Sequence, residues 1–165
     1  MDFELRVPLA DEAATLALGE TLGRGLRHGD VLALTGDLGA GKTCLVRGVA
    51  RGLRIAEPEA VASPTYLLVV EHPGPIPLVH LDAYLPEKLR RFLQDGGIDY
   101  LAEREGVTAV EWADRVTDLL PLDALRVALR PVPGSAGPAR EAILVGDEAR
   151  FGWLLAQVPG NPPAG

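Results

Sequence analysis

Residues 36–43, with the sequence Gly-Asp-Leu-Gly-Ala-Gly-Lys-Thr, carry the clearest chemical signal in this chain. They satisfy the phosphate-loop pattern G-x-x-x-x-G-K-[ST] at every position. Glycines let backbone N–H groups approach phosphate oxygens, and the helix start adds partial positive charge. Lys42 is expected to reach the β- and γ-phosphates and the Thr43 hydroxyl to bind Mg²⁺. A chance glycine-rich turn is disfavoured because lysine occurs only at positions 42 and 88.

Two acidic residues, Asp82 and Glu111, follow the apolar residues of the predicted strands 78–84 and 107–110. Parallel α/β sheets place ligands at the carboxyl ends of their strands, where a Walker-B carboxylate meets the Mg²⁺ shell. Asp82 fits that role. Glu111 can position or deprotonate an attacking water, and Trp112 can shield or stack on a nucleotide. The alternative for this pair is an exposed glutamate followed by a packing tryptophan.

Two further segments allow more than one interpretation. Residues 63–66, Ser-Pro-Thr-Tyr, form either a turn before a strand or a switch loop that senses the γ-phosphate. The segment alone favours the turn. His80, Asp82 and Tyr84 share one face of the predicted strand. A His-x-Asp zinc site is disfavoured because the chain has only three histidines and no second ligand cluster.

The order of predicted elements indicates an α/β, P-loop NTPase-like three-layer fold, with a mostly parallel central sheet and helices on both faces. Strands are predicted at 3–7 (ended by Pro8), 31–34, 67–70, 78–84 and 107–110, and a C-terminal hairpin at 125–132 and 141–145. Helices are predicted from the Asp11 cap to about 27, from 42 to about 53, from Pro86 to about 94, and over 148–157.

Side-chain spacing predicts which helix faces are buried. Leu18, Leu22 and Leu26 recur at intervals of four, so the first helix should cover the sheet. In the last helix, capped by Asp147, the residues expected to pack inward are Phe151, Leu154 and Leu155.

Length and composition limit the number of domains and the classes of protein to which this chain can belong. The chain has 165 residues, 47% of them hydrophobic, and a net charge of −7. This size predicts one nucleotide-binding domain over 1–158, and the Pro/Gly-rich segment 159–165 is expected to be disordered. The acidic balance disfavours a stand-alone nucleic-acid binder. The absence of a long apolar run predicts no membrane span, and the single cysteine, Cys44, suits a reducing cytosol.

Four motifs together resemble the bacterial TsaE (YjeE) family: residues 36–43, residues 63–66, His80-x-Asp82-x-Tyr84, and Glu111-Trp112. The resemblance covers residues 7–112. It implies a cytoplasmic ATPase needed to make threonylcarbamoyladenosine in tRNA, using ATP/ADP and Mg²⁺. It also implies two partners, TsaB and TsaD, of which TsaD carries the transferase site, and contact with tRNA only through that complex.

The resemblance also implies roles for individual residues. The catalytic residues are Lys42, Asp82 and Glu111. The metal-binding residues are Thr43, Asp82 and Glu111. The nucleotide-binding residues are Asp37, Leu38, Gly39, Ala40, Gly41, Lys42, Thr43, Cys44, Thr65 and Trp112.

The chain departs from the family pattern after Tyr84. Leu85 stands where the family usually has arginine, and Arg90 or Arg91 can substitute for it. Because a stabilising arginine adds about 10³–10⁵-fold to phosphoryl transfer, we expect slow hydrolysis by the isolated protein. A small-molecule kinase and a nucleotide-dependent binding module remain alternatives. ATP is preferred to GTP by the resemblance and because no Asn-Lys-x-Asp motif for guanine is present.

Overall fold

The computed structural model describes residues 1–65, 67–97, 105–134 and 137–160. The strands are β1 (Asp2–Leu9), β2 (Val31–Thr35), β3 (Val69–His72), β4 (Leu78–Asp82), β5 (Val107–Glu111), β6 (Leu125–Pro131) and β7 (Arg140–Asp147). The helices are α1 (Glu12–Gly25), α2 (Lys42–Gly52), α3 (Pro86–Phe92), α4 (Glu148–Phe151) and α5 (Leu154–Gln157). Short 3₁₀ turns occur at Pro58–Ala60, Ala113–Arg115 and Thr117–Leu119.

The described strands form one seven-stranded sheet in the order β1-β7-β6-β2-β5-β4-β3. Its centre, β6-β2-β5-β4, is parallel, and the pairs β3-β4, β6-β7 and β1-β7 are antiparallel. The predicted α/β class and the C-terminal hairpin are therefore confirmed, although the sheet is mixed: both sides of the parallel centre end in antiparallel strands. The carboxyl ends of β2, β5 and β4 lie side by side at one edge.

Successive side chains of a strand point to opposite faces of the sheet and therefore belong to two separate hydrophobic layers. Leu32 and Leu34 of β2 pack with α1 and α2, and Ala33 between them packs on the opposite face with α3. Leu18, Leu22 and Leu26 are buried in the first layer, as their spacing predicts. The helices cover both faces, which confirms the three-layer arrangement.

Several predicted boundaries are wrong for identifiable reasons. Pro8 does not end β1, because β1 is an edge strand and a proline there removes no central ladder bond. The strand predicted at 67–70 begins two residues later, after Leu68 adopts a left-handed backbone (φ 64°). α1 ends at Gly25, earlier than predicted. α3 ends at Phe92, and the backbone that continues it leaves helical geometry at Asp95 and Gly96 (φ 104°), so this helix ends close to the predicted position.

The closing helix is split. α4 ends at Phe151 and α5 begins at Leu154, so the predicted continuous helix is interrupted by a turn. Phe151 and Leu154 are fully buried, but Leu155 is 45% exposed and does not pack inward as predicted.

The end of the described chain lies against the first strand. A Cβ added to Gly160 would lie 2.6 Å from Leu5 Cδ1. Residues 161–165 lie outside the described residues, so the disordered tail stays a prediction. Within the described residues, the helices are too short or too polar to cross a membrane.

Glycines set the spacing between α1 and α2. A Cβ on Gly48 would lie 2.3 Å from Leu16 O, and a Cβ on Gly19 would lie 2.3 Å from Leu45 O. Gly23 and Gly52 repeat this contact one turn further on. The two helix backbones therefore touch where side chains are absent, and this contact fixes the position of α2.

We expect Gly48→Ala to destabilise the protein by about 2 kcal/mol or more, because the added methyl forces the helix backbones apart. This effect opposes the gain of about 1 kcal/mol that alanine brings to a helix. Urea unfolding measures the difference. Ala17→Gly, on the exposed face of α1, is the control and should lower stability by only about 1 kcal/mol. An unchanged or raised stability for Gly48→Ala would contradict the close contact.

Candidate functional site

The phosphate loop connects β2 to α2 and needs glycine at specific points. Gly36 has φ 147°, and a Cβ there would lie 2.8 Å from Leu129 O of β6. Gly41 has φ 103° and directly precedes α2. These positive φ values suit glycine and disfavour other residues. The resulting turn directs the first N–H groups of α2, which have no acceptor inside the helix, toward the loop.

Lys42 is folded back onto this loop. Its side chain is buried, and its ammonium donates to the Gly36 carbonyl and, at 2.9 Å, to the Asp37 carbonyl. Burial lowers the pKa of Lys42, and nearby carboxylates, led by Glu111, oppose that shift. The ammonium also lies 3.9 Å from the centre of the Trp112 ring. It therefore lies among carbonyls, carboxylates and a π face.

Glu111 is buried at the carboxyl end of β5 and is held from two sides. Thr43 Oγ1 donates to its Oε1 at 2.8 Å, and its Oε2 lies 2.8 Å from His80 Nε2. With only 2% of Glu111 exposed, the alternative of an exposed glutamate is wrong. The predicted metal residues Thr43 and Glu111 are in direct contact.

Asp82 is fully buried at the end of β4, where it pairs in register with Glu111. Its Oδ2 accepts from the Ser63 hydroxyl at 2.9 Å and the Thr65 hydroxyl at 3.3 Å. Its Oδ1 accepts from the Tyr84 backbone N–H at 2.7 Å. The 63–65 loop is thus attached to the carboxylate predicted for the magnesium shell. Tyr66, the last residue of that motif, lies outside the described residues.

Trp112 adopts a left-handed backbone with φ 57°, which is uncommon for a bulky residue. Its ring lies between Lys42 and Arg115, whose guanidinium carbon is 4.7 Å from the ring centre. Arg115 also donates to the Tyr84 carbonyl at 2.5 Å. Tyr84 and Trp112 contact each other, with ring centres 5.2 Å apart.

A cavity of about 430 Å³ opens above the loop. Nine of the residues predicted to bind nucleotide or metal line it: Leu38, Gly39, Ala40, Gly41, Lys42, Thr43, Cys44, Glu111 and Trp112. Ser63, the start of α1 and the β7 residue Arg140 complete its wall. The phosphate loop, Glu111 and Trp112 therefore face one space.

Three predicted residues do not line this cavity. Asp82 and Thr65 lie behind Ser63, with which both form hydrogen bonds. Asp37 lines a separate cavity on the β6 side of the loop, and its carbonyl accepts from Lys42. Their assignments as cofactor or metal residues stay predictions.

Of the two arginines suggested as substitutes, Arg91 is exposed on α3 and Arg90 is engaged elsewhere. Arg90 forms a bidentate ion pair with Asp118, with both N···O distances 2.7 Å. Arg115, which lies against Trp112, was not predicted. Its spacing of three residues from Trp112 across a short turn is a signal that could have identified it.

His80 and Arg140 were also missed as site residues. The strand period places His80 on the same face as Asp82, but its contact with Glu111 depends on the pairing of β4 with β5. Arg140 reaches the cavity only through the pairing of β6 with β7, and no local pattern in the sequence reveals that contact.

The chemistry of these groups fits a nucleotide with magnesium. Hydroxyl and carboxylate oxygens are the ligands that Mg²⁺ accepts, and it is usually held by one or two carboxylates together with substrate phosphates. In the described residues, no group of three or more His, Cys, Asp or Glu side chains could hold a metal ion by itself. A metal beside Thr43 and Glu111 would therefore depend on phosphate oxygens to complete its shell.

We expect Asp82→Ala to lower the free energy of unfolding by about 2 kcal/mol, because the part-buried Ser63 and Thr65 hydroxyls and the Tyr84 N–H lose their shared acceptor. Asp82→Asn is the matched control: its carbonyl can still accept from Tyr84 N–H, and the Ser63 hydroxyl can accept from its amide. Urea unfolding of both variants should show the alanine variant clearly less stable. Equal stabilities would show that these hydrogen bonds do not hold the loop.

Comparison with known proteins gives a consistent result. The family model described as "Threonylcarbamoyl adenosine biosynthesis protein TsaE" matches residues 9–136. A protein from Nostoc sp. (strain PCC 7120) named tRNA threonylcarbamoyladenosine biosynthesis protein TsaE is 43% identical over 122 residues, covering 70% of this chain and 72% of the relative. A Streptomyces coelicolor protein of the same name is 38% identical over 146 residues, covering 86% and 95%.

A solved structure agrees with these sequence matches. The crystal structure of YdiB from Bacillus subtilis superposes with a TM-score of 0.73 at 29% identity, covering 94% of each chain. The fold is therefore that of a P-loop NTPase-like protein. With the family model matching most of the chain and relatives matching along most of their own length, this chain belongs to the TsaE family.

Proposed function

We propose that this protein binds ATP with Mg²⁺ and hydrolyses it in support of threonylcarbamoyladenosine synthesis on tRNA, in the cytoplasm and together with TsaB and TsaD. The observation that carries the proposal is the meeting of Lys42, Thr43 and Glu111 at one cavity above the phosphate loop. Family membership supports the tRNA pathway, and the implied partners follow from the family resemblance.

Each of the site residues has a different role in phosphoryl transfer. Lys42 and the N–H groups at the start of α2 neutralise the β- and γ-phosphates, and to do so the ammonium must leave the Gly36 and Asp37 carbonyls. Bound Mg²⁺ supplies charge neutralisation at the phosphate oxygens. Glu111 orients a water for in-line attack and accepts its proton. Positioning and electrostatics then account for most of the rate.

The kinase alternative receives less support. It needs an arginine-bearing lid that approaches the phosphates, and the predicted candidate was Arg90-Arg91. Arg90 is instead fixed by Asp118 and by the Arg115 carbonyl, which it approaches at 3.2 Å. Measuring whether phosphate from ATP reaches water or an added acceptor separates the two activities.

We expect Glu111→Gln to lower the rate of phosphate release by about 10²–10⁴-fold, the range for loss of a general base. ATP affinity should stay within about threefold, because the phosphate contacts remain. Trp112 fluorescence can report binding in a Trp153→Phe background, since Lys42 must move away from the indole ring when it contacts phosphate. Normal hydrolysis by Glu111→Gln would show that this carboxylate has no catalytic role.

We expect hydrolysis to be slow for the isolated protein and to change by at least about tenfold when TsaB and TsaD are added, since Leu85 stands in place of the family arginine and Asp118 holds Arg90. A reconstituted tRNA-modification assay, run with and without this protein and ATP, measures whether modification requires both. Glu111→Gln is the informative variant in that assay. If it sustains repeated rounds of modification, nucleotide binding matters rather than hydrolysis, and the binding-module alternative is correct.

A further inference from the structure

We propose that His80 is a positioning residue, which fixes the orientation of the Glu111 carboxylate through a hydrogen bond from its Nε2–H. This inference rests on the proposed function of the site and assigns a role to a side chain outside the phosphate-loop and carboxylate set.

His80 lies on the face of β4 that is directed toward α2. The neighbouring residues Val79 and Leu81 belong to the opposite hydrophobic layer, with α3, so the strand period turns His80 toward the site. Within the ladder His80 is opposite Ala109 of β5, and Glu111 is the next residue of β5 on the same face. A histidine at this register therefore reaches Glu111 diagonally across adjacent strands.

The hydrogen-bond pattern fixes the direction of the contact. An ionised carboxylate only accepts, so the Glu111 oxygen 2.8 Å from the ring receives the Nε2–H. His80 Nδ1 is also buried, and no described residue forms a hydrogen bond with it. A proton on Nδ1 would be a buried donor with no acceptor, which is unfavourable. The arrangement thus places the hydrogen of this contact on Nε2, which donates it to Glu111.

Both oxygens of Glu111 are then held by different elements. Thr43, at the start of α2, fixes Oε1, and His80, within β4, fixes Oε2. The carboxylate cannot rotate without breaking one of these bonds. Side chains that support a metal-site or catalytic carboxylate in this way typically contribute about 10–100-fold to affinity or activity.

Two variants test this role against simple packing. His80→Leu fills a similar volume without a donor, and His80→Gln places an amide nitrogen at the same distance along the side chain as Nε2. We expect His80→Leu to lower kcat by about 10–100-fold and His80→Gln by no more than about threefold. The Kd for ATP at saturating Mg²⁺ should stay within about threefold for both, and thermal unfolding should confirm that each is folded.

The activity of a double variant, His80→Leu with Glu111→Gln, gives a second test. If His80 acts through the carboxylate, then adding His80→Leu to Glu111→Gln should cause no further loss of activity. An equal loss in the leucine and glutamine variants, wild-type kcat in His80→Leu, or a full additional loss in the double variant would each overturn the proposal.

NMR of the histidine ring decides the contact independently of hydrolysis. In the wild-type protein we expect a slowly exchanging Nε2–H signal that shifts in Glu111→Gln. A ring protonated on Nδ1 would overturn the inference. If the wild-type protein proves unable to hydrolyse ATP, the proposed function fails by itself. The deciding measurement is then the Mg²⁺ concentration that half-saturates nucleotide binding. It should rise at least about tenfold in His80→Leu and change little in His80→Gln; an unchanged value in His80→Leu would overturn the positioning role.

Discussion

The site depends on keeping a charged carboxylate, Glu111, buried at the centre of the sheet edge. A buried carboxylate is strongly unfavourable unless hydrogen bonds replace its water. Thr43 and His80 supply those bonds from α2 and β4. This requirement explains why the two strands and the helix meet at one point: displacing α2 or β4 would remove one of the two partners of the buried charge. Fold stability and site geometry therefore share the same contacts.

Close backbone contacts determine where α2 begins. At one end of the loop, Gly36 approaches Leu129 O of β6, so that the C-terminal hairpin supports the phosphate loop from behind. Along its length, α2 contacts α1 through Gly48 and Gly19. Both contacts support the position of α2 from which Thr43 donates to Glu111. Residues far from the cavity in sequence thus determine the placement of a hydroxyl in it.

Many helices and strands could be predicted from the sequence, because periodicity and helix capping depend on residues that are close together in the chain. The Asp11 and Asp147 side chains cap α1 and α4 as expected, at 2.8 and 3.2 Å from the N–H groups they accept from. Pairing between strands was not predictable in the same way. Pro8 lies inside β1 because that strand is at the edge, and Arg140 reaches the cavity because β7 pairs with β6. Both facts follow from strand order, which one sequence does not specify.

The charges around Lys42 bear on what this cavity can accept under the proposed function. Carboxylates of Glu111, Asp114, Asp82 and Asp37 all act on the ammonium. A triphosphate entering without a metal would meet Glu111 in the cavity wall and Asp82 behind Ser63, and both carboxylates are buried, where charges are poorly screened. A divalent cation beside Thr43 and Glu111 would reverse the sign of that interaction. Under the proposed function, the two buried carboxylates would therefore disfavour free nucleotide and favour its magnesium complex, so that metal and nucleotide would enter the site together.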